Sequence, residues 1–478
     1  MPLASNKTKI VATIGPASES LEVMQQMIRA GMNVARVNFS HGDFASHQRV
    51  IETLRTAAQS VGRRLAIMAD LPGPKMRVGQ ISPEPVELKA GEPFVLTTDE
   101  FVGDAGQASV SFDGLPAAVK PGHTLFLNDG QIQLEVERLE GSRVHSRVIV
   151  GGELRSRKGL NLPGIDLGIS AFTDYDRRCL EFALGAGVDA VSQSFVESAA
   201  DIAAVRQAAA DLGYQPFVFA KIERKNALSH LDDIIAAADG VMIARGDLGV
   251  EIPIEQIAGV QKRIMSKTNL AGKPVITATQ MLESMVANRR PTRAEATDVA
   301  NAILDGTDAV MLSGESAMGQ YPVEAVAMLA KIAAAIEPNR PGHYVRDILK
   351  DAGLHSHVKL SELIALTVES ILERITPAAV FVPTRSGATA RNIARFRPQV
   401  WIIAVSSQET TCQRLVFSYG IHPVHEPDHP EDWRNYVRHF LEKSEVPGHI
   451  VVLTEGPSSK HPGANNRMEL IDLRPGSS

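Results

Sequence analysis

Residues 216–247 read PFVFAKIERKNALSHLDDIIAAADGVMIARGD. Two short, β-rich apolar runs, Pro216–Glu223 and Gly240–Asp247, flank a segment with a helical pattern. An apolar run that does not alternate is what a strand buried on both faces shows, so the stretch predicts a parallel β–α–β unit. Both runs end in charge, Lys221-Ile-Glu223 and Arg245-Gly246-Asp247. One lysine and two carboxylates therefore stand at the ends of two neighbouring strands.

The same unit recurs on either side. Further strands are predicted at Thr8–Gly15, Met32–Phe39, Leu65–Leu71, Asp189–Phe195, Lys273–Gln280 and Asp308–Gly314. Ser18, Asp43, Thr173, Ser198 and Thr292 read as helix N-caps, and Gly31, Gly62, Gly187, Gly213, Gly272 and Gly306 as C-terminal stops. Eight such units predict an α/β fold, a TIM (β/α)8 barrel over residues 1–72 and 159–337. A doubly wound sheet is the competitor, but its strand count is usually lower. Between the two barrel pieces, residues 73–158 change to short alternating runs with Gly, Pro and Asn128-Asp129-Gly130 punctuation. They predict an inserted small antiparallel β-barrel domain, placed as a lid on the catalytic face. A polar linker with Pro338, Arg340, Pro341 and Gly342 leads into residues 345–478, a C-terminal open α/β domain with strands at Ala379–Pro383, Trp401–Val405, Ile421–His425 and His449–Leu453.

Composition sets the outer bounds. Hydrophobic residues make up 44% of the 478-residue chain and charged residues 22%, which excludes a disordered protein. The net charge of -6 argues against a nucleic-acid partner. The two cysteines, Cys179 and Cys412, form neither a disulfide framework nor a zinc spacing, and fit a reducing compartment. The first residues hold no signal-peptide core and no apolar run is long enough for a bilayer, so a cytoplasmic protein with no membrane partner is expected.

TIM-barrel chemistry sits at the C-terminal strand ends. In order these are Arg36-Val-Asn38-Phe-Ser40-His41, Asp70, Ser194-Phe195, Lys221-Ile-Glu223, Arg245-Gly246-Asp247, Thr279-Gln280 and Ser313-Gly314-Glu315. A barrel built only for stability would not polarise so many strand ends. Glu223 and Asp247 offer hard oxygen ligands suited to Mg²⁺ or Mn²⁺, unless Arg224 and Arg245 neutralise them as salt bridges. Lys221 and Glu223, two apart, point to the same side of a strand. A lysine beside a metal stabilises transition-state charge rather than forming a Schiff base. Arg36 and Arg77 can grip phosphate, and Asn38 and His41 can touch a nucleotide, although His41 can equally cap a helix. Thr279 can position a carboxylate or a protonating water, or be a plain strand-end hydroxyl. Ser194 and Ser313 are equally open. In the third domain, Thr384-Arg385-Ser386-Gly387-Ala388-Thr389 follows a strand and opens a helix, as a phosphate cradle or an ordinary N-cap.

Five segments together resemble pyruvate kinase: Met32–Gly42 (MNVARVNFSHG), Ala244–Pro253 (ARGDLGVEIP), Pro274–Met285 (PVITATQMLESM), Pro291–Asp298 (PTRAEATD) and Met311–Pro322 (MLSGESAMGQYP). The resemblance covers essentially the whole chain. It implies phosphoryl transfer from phosphoenolpyruvate to ADP giving pyruvate and ATP, the three-domain architecture, and a homotetramer. It makes Lys221 the transition-state lysine and Glu223 and Asp247 the metal ligands. Arg36, Gly246 and Thr279 become phosphoenolpyruvate contacts, and Asn38, Arg77 and Lys158 nucleotide or phosphate contacts. Ser313 would help Thr279 deliver a proton to the enolate.

Many members of this family bind potassium through an asparagine, a serine, an aspartate and the threonine after it. Asn38, Ser40 and Asp70 match, but Leu71 replaces the threonine. Lys75 stands where potassium-requiring members carry a glutamate, so the resemblance implies a surrogate cation and no potassium requirement. The third domain matches loosely, leaving a sugar phosphate or a nucleoside monophosphate as the candidate effector. Two rivals remain. A metal-dependent pyruvate aldolase would not need the lid, Arg77 and Lys158. An inactive sugar-phosphate sensor would not need an intact Lys221, Glu223, Asp247 and Thr279.

Overall fold

The structure is a computed structural model and describes residues 2–165, 167–340, 360–428, 430–455 and 466–474. The barrel opens with strands β1 (Lys9–Thr13), β2 (Val34–Asn38) and β3 (Ala66–Leu71). The insertion then forms β4 (Val86–Leu88), β5 (Pro93–Thr97), β6 (Gln107–Ser109), β7 (Thr124–Leu127), β8 (Ile132–Glu140), β9 (Arg143–Val150), β10 (Gly152–Leu154) and β11 (Leu160–Asn161). The barrel resumes with β12 (Ala190–Gln193), β13 (Phe217–Ile222), β14 (Gly240–Ala244), β15 (Val275–Ala278) and β16 (Ala309–Leu312). These eight parallel strands close in the order β1-β16-β15-β14-β13-β12-β3-β2, so all eight predicted barrel strands form and the doubly wound alternative falls.

Local signals set most helix starts. Asp43, Thr173, Ser198 and Thr292 occupy N-cap positions. At the first helix, Leu21–Ala30, the cap is Ser20 rather than Ser18. The Ser18 hydroxyl accepts from the Gly15 N–H at 3.2 Å and so closes the turn before the helix. Arg245–Glu251 is a helix, so Gly246 and Asp247 sit in its first turn rather than on a strand end.

The insertion builds a six-stranded sheet, β11-β7-β8-β9-β5-β6, and a two-stranded ribbon, β10-β4, around one core. Pairing is antiparallel except between β5 and β6. The return crossing still belongs to it: β11 pairs with β7, and Leu160, Leu162 and Ile165 lie in its core.

The third region forms a sheet in the order β19-β18-β17-β20-β21 from β17 (Ala379–Pro383), β18 (Trp401–Ser406), β19 (Ile421–His425), β20 (Ile450–Glu455) and β21 (Arg467–Asp472). The first four are parallel. The last, unforeseen, runs antiparallel on β20 as an edge. Of the linker, Pro341 and Gly342 lie outside the described residues, as do residues 345–359 of the expected third domain. Arg340 is no solvated linker residue. It is buried, donates through Nε to the Ile303 carbonyl at 2.7 Å, and lies 4.2 Å over the Tyr419 ring.

The barrel lumen explains where the chemistry falls. Its lower layer is apolar and includes Val11, Val34, Met68, Ala190, Phe219, Met242 and Met311. Side chains two residues further along a strand point to the same face. Two residues on from these stand Thr13, Arg36, Asp70, Ser192, Lys221, Ala244 and Ser313. The polar rim is therefore the next tier of the same inward-facing column, carried on a packed hydrocarbon base. Phe417, from the third region, seals the bottom of that base, its ring centroid 5.1 Å from Phe219 and 5.8 Å from Phe217.

Candidate active site

A cleft at the top of the barrel brings together Arg36, Asn38, Ser40, Asp70, Lys75, Ser194, Phe195, Lys221, Glu223, Asp247, Thr279 and Ser313. Asp70 is at its centre and 1% exposed. Its Oδ1 accepts from the Ser192 hydroxyl at 2.6 Å. Its Oδ2 accepts from Arg36 Nε at 2.9 Å, is also bonded by Arg36 Nη2, and lies 3.3 Å from Lys221 Nζ. Burial alone would raise this carboxyl, but Lys221 and Arg36 outweigh it and hold it at about 2. Arg36 also donates through Nη1 to Thr13 Oγ1 at 2.9 Å, so its guanidinium is fixed on both edges.

Lys221 donates to Ser194 Oγ at 2.6 Å and pairs with Glu223 Oε1 at 2.9 Å. Burial opposes its charge, but Asp70 and Glu223 overcome that and raise its pKa above the ordinary lysine value. Glu223 Oε2 accepts the Phe195 N–H at 2.7 Å. Neither neighbouring arginine neutralises the two carboxylates, although Glu223 is paired with Lys221. Arg224 turns to Glu197 and Glu251, and Arg245 to Asp298. The Asp247 carboxylate has no hydrogen-bond or ion-pair partner among the described residues. Burial and the Glu223 carboxylate push its carboxyl up to about 6.

This donor set fits a divalent cation. Two converging hard carboxylates, one of them unpaired, leave room for further oxygen ligands. No three His, Cys, Asp or Glu side chains surround one point among the described residues, so those further ligands would come from substrate and water.

Thr279 accepts the Gly246 N–H at 2.7 Å and donates to the Ala278 carbonyl at 2.6 Å. Ser313 lines the same cleft, its N–H bonded to Glu315 Oε2 at 2.7 Å. His41 lies outside the lining and is exposed. Its pKa is lowered by partial burial and by Lys75, Arg77 and Arg36, which places it within a cationic zone. Arg77 and Lys158 meet at the lid's two connections. Arg77 bridges Gly159, and the Val78 N–H bonds the Lys158 carbonyl at 2.9 Å. In the third region, Gly387 adopts φ +80 and donates to Thr384 Oγ1 at 2.9 Å. Thr411 Oγ1 bonds the Arg385 carbonyl at 2.7 Å, and Arg391 the Ser386 carbonyl at 3.0 Å.

Three contributors were not read from the sequence as site residues. Thr13 and Ser192 orient Arg36 and Asp70, and their only signal is a hydroxyl two residues beyond an apolar lumen position. Asp129, at the lid's hairpin tip, lies close enough for its charge to act on Asp247, and only the folded-down lid brings it there.

The sequence model described as "Pyruvate kinase, barrel domain" matches residues 5–326, and that described as "Pyruvate kinase, alpha/beta domain" matches residues 362–471. A pyruvate kinase of Thermococcus litoralis is 50% identical over 424 residues, 88% of this chain and 89% of the relative. One of Geobacillus stearothermophilus is 41% identical over 471 residues, 97% of this chain and 80% of the relative. A crystal structure of a pyruvate kinase from Cryptosporidium parvum superposes with a TM-score of 0.91 at 34% identity, covering 98% of this chain and 97% of that one. Fold and relatives together define a phosphotransferase built on a lidded TIM barrel. The chain belongs to the pyruvate kinase family.

The buried Asp70 gives a test. Asp70→Asn leaves Arg36 and Lys221 with a neutral partner, so unfolding at pH 7 should become easier by about 3 kcal/mol or more. The folded carboxyl titrates near 2 against an ordinary 3.8, so the wild-type advantage is present above pH 4 and fades as pH falls toward 2. Denaturant unfolding of both proteins between pH 7 and pH 3 checks this. A difference that stays constant across that range would reject it.

Proposed function

We propose that this protein transfers a phosphoryl group from phosphoenolpyruvate to ADP, giving pyruvate and ATP, with Mg²⁺ or Mn²⁺ held by Glu223 and Asp247. The observation that carries the reading is the convergence of Lys221, Arg36 and this carboxylate pair on one cleft. Phosphoryl transfer needs positioning and charge neutralisation more than covalent chemistry. A divalent cation bound there supplies Lewis acidity toward phosphoryl and enolate oxygens.

The chain's own groups do the rest. Lys221, fixed by Ser194, Asp70 and Glu223, presents an ammonium that needs no rearrangement to meet migrating charge. Arg36, pinned to Asp70 and Thr13, orients the phosphate. The Gly246–Thr279 bond fixes the two groups that would lie along the substrate carboxylate. Thr279 and Ser313 hold the hydroxyls that would pass a proton, through water, to the enolate carbon. Asn38, His41, Arg77 and Lys158 form the cationic and polar side that the nucleotide phosphates would occupy.

Lys221→Met should lower kcat by roughly 10²–10³. Glu223→Gln and Asp247→Asn should each move the Mg²⁺ activation curve to higher concentration. Coupled assays on purified variants decide this. Normal turnover in the first, or unshifted curves in both of the others, would remove the assignment.

Potassium independence is part of the same proposal. Both Asp70 oxygens are already engaged by Ser192, Arg36 and Lys221. The Leu71 side chain is fully buried and carries no oxygen, and Lys75 lines the cleft. Wild-type activity should persist in sodium- or tris-based buffer. Lys75→Glu, alone or with Leu71→Thr, should lose rate that added potassium partly restores. A many-fold rise of wild-type rate with potassium would instead assign Asn38, Ser40 and Asp70 to a working ion site.

Regulation is read from Thr384–Thr389, whose Ser386 is exposed at the opening of a helix. Sugar phosphates or nucleoside monophosphates should activate the enzyme, and Ser386→Ala with Thr389→Ala should abolish the activation. Unchanged wild-type kinetics across such a panel would reduce this turn to a helix cap.

A further inference from the structure

The larger cavity at this end of the barrel is not the one that holds the chemistry. It encloses about 330 Å³, within the range of small-molecule sites. Pro74, Leu167 and Ile169 form part of its apolar side, and Glu197, Asp201 and Arg224 part of its polar side. Phe195 lines both this cavity and the catalytic cleft.

Phe195 is an unusual partition. Its backbone is left-handed, φ 59, a conformation that an aromatic residue adopts only when its surroundings impose it. Its N–H holds Glu223 Oε2 at 2.7 Å. On another side it is backed by Gly73, the residue at which the chain leaves the barrel for the lid. A Cβ on Gly73 would lie 2.9 Å from Phe195 Cδ2 and 3.1 Å from the Ser194 carbonyl, and Gly73 itself has φ +65. The ring therefore has little room to yield toward the lid connection. A body pressing on it from the cavity would act on the peptide that orients Glu223.

The charge of the cavity selects its occupant. Arg224 is divided between two carboxylates, its Nε 3.2 Å from Glu197 and 3.5 Å from Glu251. Asp201 adds a second lining carboxylate, its Oδ2 accepting from the N–H groups of Glu197 and Ser198 at 3.0 and 2.9 Å. The wall is therefore net negative beside an apolar face, and that face includes Ile169, which is 45% exposed. An ammonium would complement the carboxylates, and an aromatic or branched aliphatic body would cover Phe195 and Ile169.

We propose that this cavity is a second small-molecule site, for a compact organic cation with an apolar face, whose occupant shifts Glu223 through Phe195. The second half rests on the reading of Glu223 as a metal ligand. The probe is phenethylamine, with 2-phenylethanol as the neutral match, added to the full chain. Calorimetry and a crystal soak read binding, and a Mn²⁺ titration read by electron paramagnetic resonance gives metal affinity. Phenethylamine should bind in the cavity and change the Mn²⁺ dissociation constant roughly fivefold or more, the lower end of site-to-site coupling. The alcohol should bind more weakly. Ile169→Trp, which fills the mouth, should keep probe-free activity and lose both binding and shift. Glu197→Gln should weaken the amine and not the alcohol. Absence of the amine from the cavity, equal binding of the alcohol, or an unmoved Mn²⁺ titration with the amine bound would overturn the proposal. If Glu223→Gln leaves Mn²⁺ affinity intact, the fault lies in the metal reading, and the soak and calorimetry still judge the cavity.

Discussion

The structure depends on one buried carboxylate. Asp70 lines the cleft at the top of the barrel between Arg36 and Lys221, and Ser192 completes its hydrogen bonding. Two cations in so enclosed a space would repel each other without it. With it, Lys221 is held as the ammonium and both side chains stay in place. A buried pair of this kind contributes little net stability compared with apolar packing, because desolvation offsets much of the attraction. What it supplies is placement. Arg36 and Lys221 come from strands that are not neighbours, β2 and β13, and Asp70 on β3 fixes the distance between them.

A second constraint acts on the backbone of the rim. Thr279 and Gln280 are consecutive left-handed residues, φ 69 and 52. Each such non-glycine residue costs of order 1–3 kcal/mol, and a β-branched one is disfavoured most. Arg245 holds them. Its Nη2 bonds the carbonyls of Thr279 and Gln280 at 3.0 and 3.3 Å, while Nη1 is anchored on Asp298 at 2.8 Å. The turn thereby aims the Thr279 hydroxyl back at the Gly246 N–H instead of out along the strand. The arginine that sequence reading weighed as a partner for Asp247 instead supports the threonine opposite.

The barrel was legible because its signals are local. Continuous apolar runs, hydroxyl or carboxylate caps and glycine stops repeat with each unit, and each needs only a few neighbouring residues to act. The rim was legible for the same reason, since Arg36, Asp70 and Lys221 lie one tier above apolar lumen positions and Glu223 one tier higher. What escaped depends on contacts distant in sequence. β21 alternates apolar and charged residues as an exposed edge, Arg467–Asp472, and its partner β20 lies beyond a ten-residue stretch outside the description. Arg340 looks like linker composition, yet its burial is created by Tyr419 and the Ile303 carbonyl. Asp129 reads as hairpin punctuation until the lid lies over the barrel. The departure at Asp247 is local but subtle: Arg-Gly-Asp continues an apolar run, yet the helix starts at Arg245, directly after β14.

The placement of the chemistry is finally a matter of packing beneath it. Phe219, Lys221 and Glu223 are alternate inward positions of one strand and the residue after it. The foot of that column is gripped from two sides. A Cβ on Gly240 would lie 2.4 Å from the Phe219 ring, so only glycine admits it, and Phe417 closes over it at 5.1 Å. Because side chains alternate, a slip of one residue in β13 would turn Lys221 away from the cleft and expose Phe219 to the wrong layer. The aromatic foot makes that slip prohibitive. Phe417 belongs to the third region, which is tied to the same floor by the Tyr419 N–H on Asp308 at 2.8 Å and by Arg397 on Asp308 at 2.6 Å. The region is therefore part of what holds the register of β13. Lys221 and Glu223 are positioned at the top of the barrel by hydrocarbon, glycine and an arginine–aspartate pair at its base.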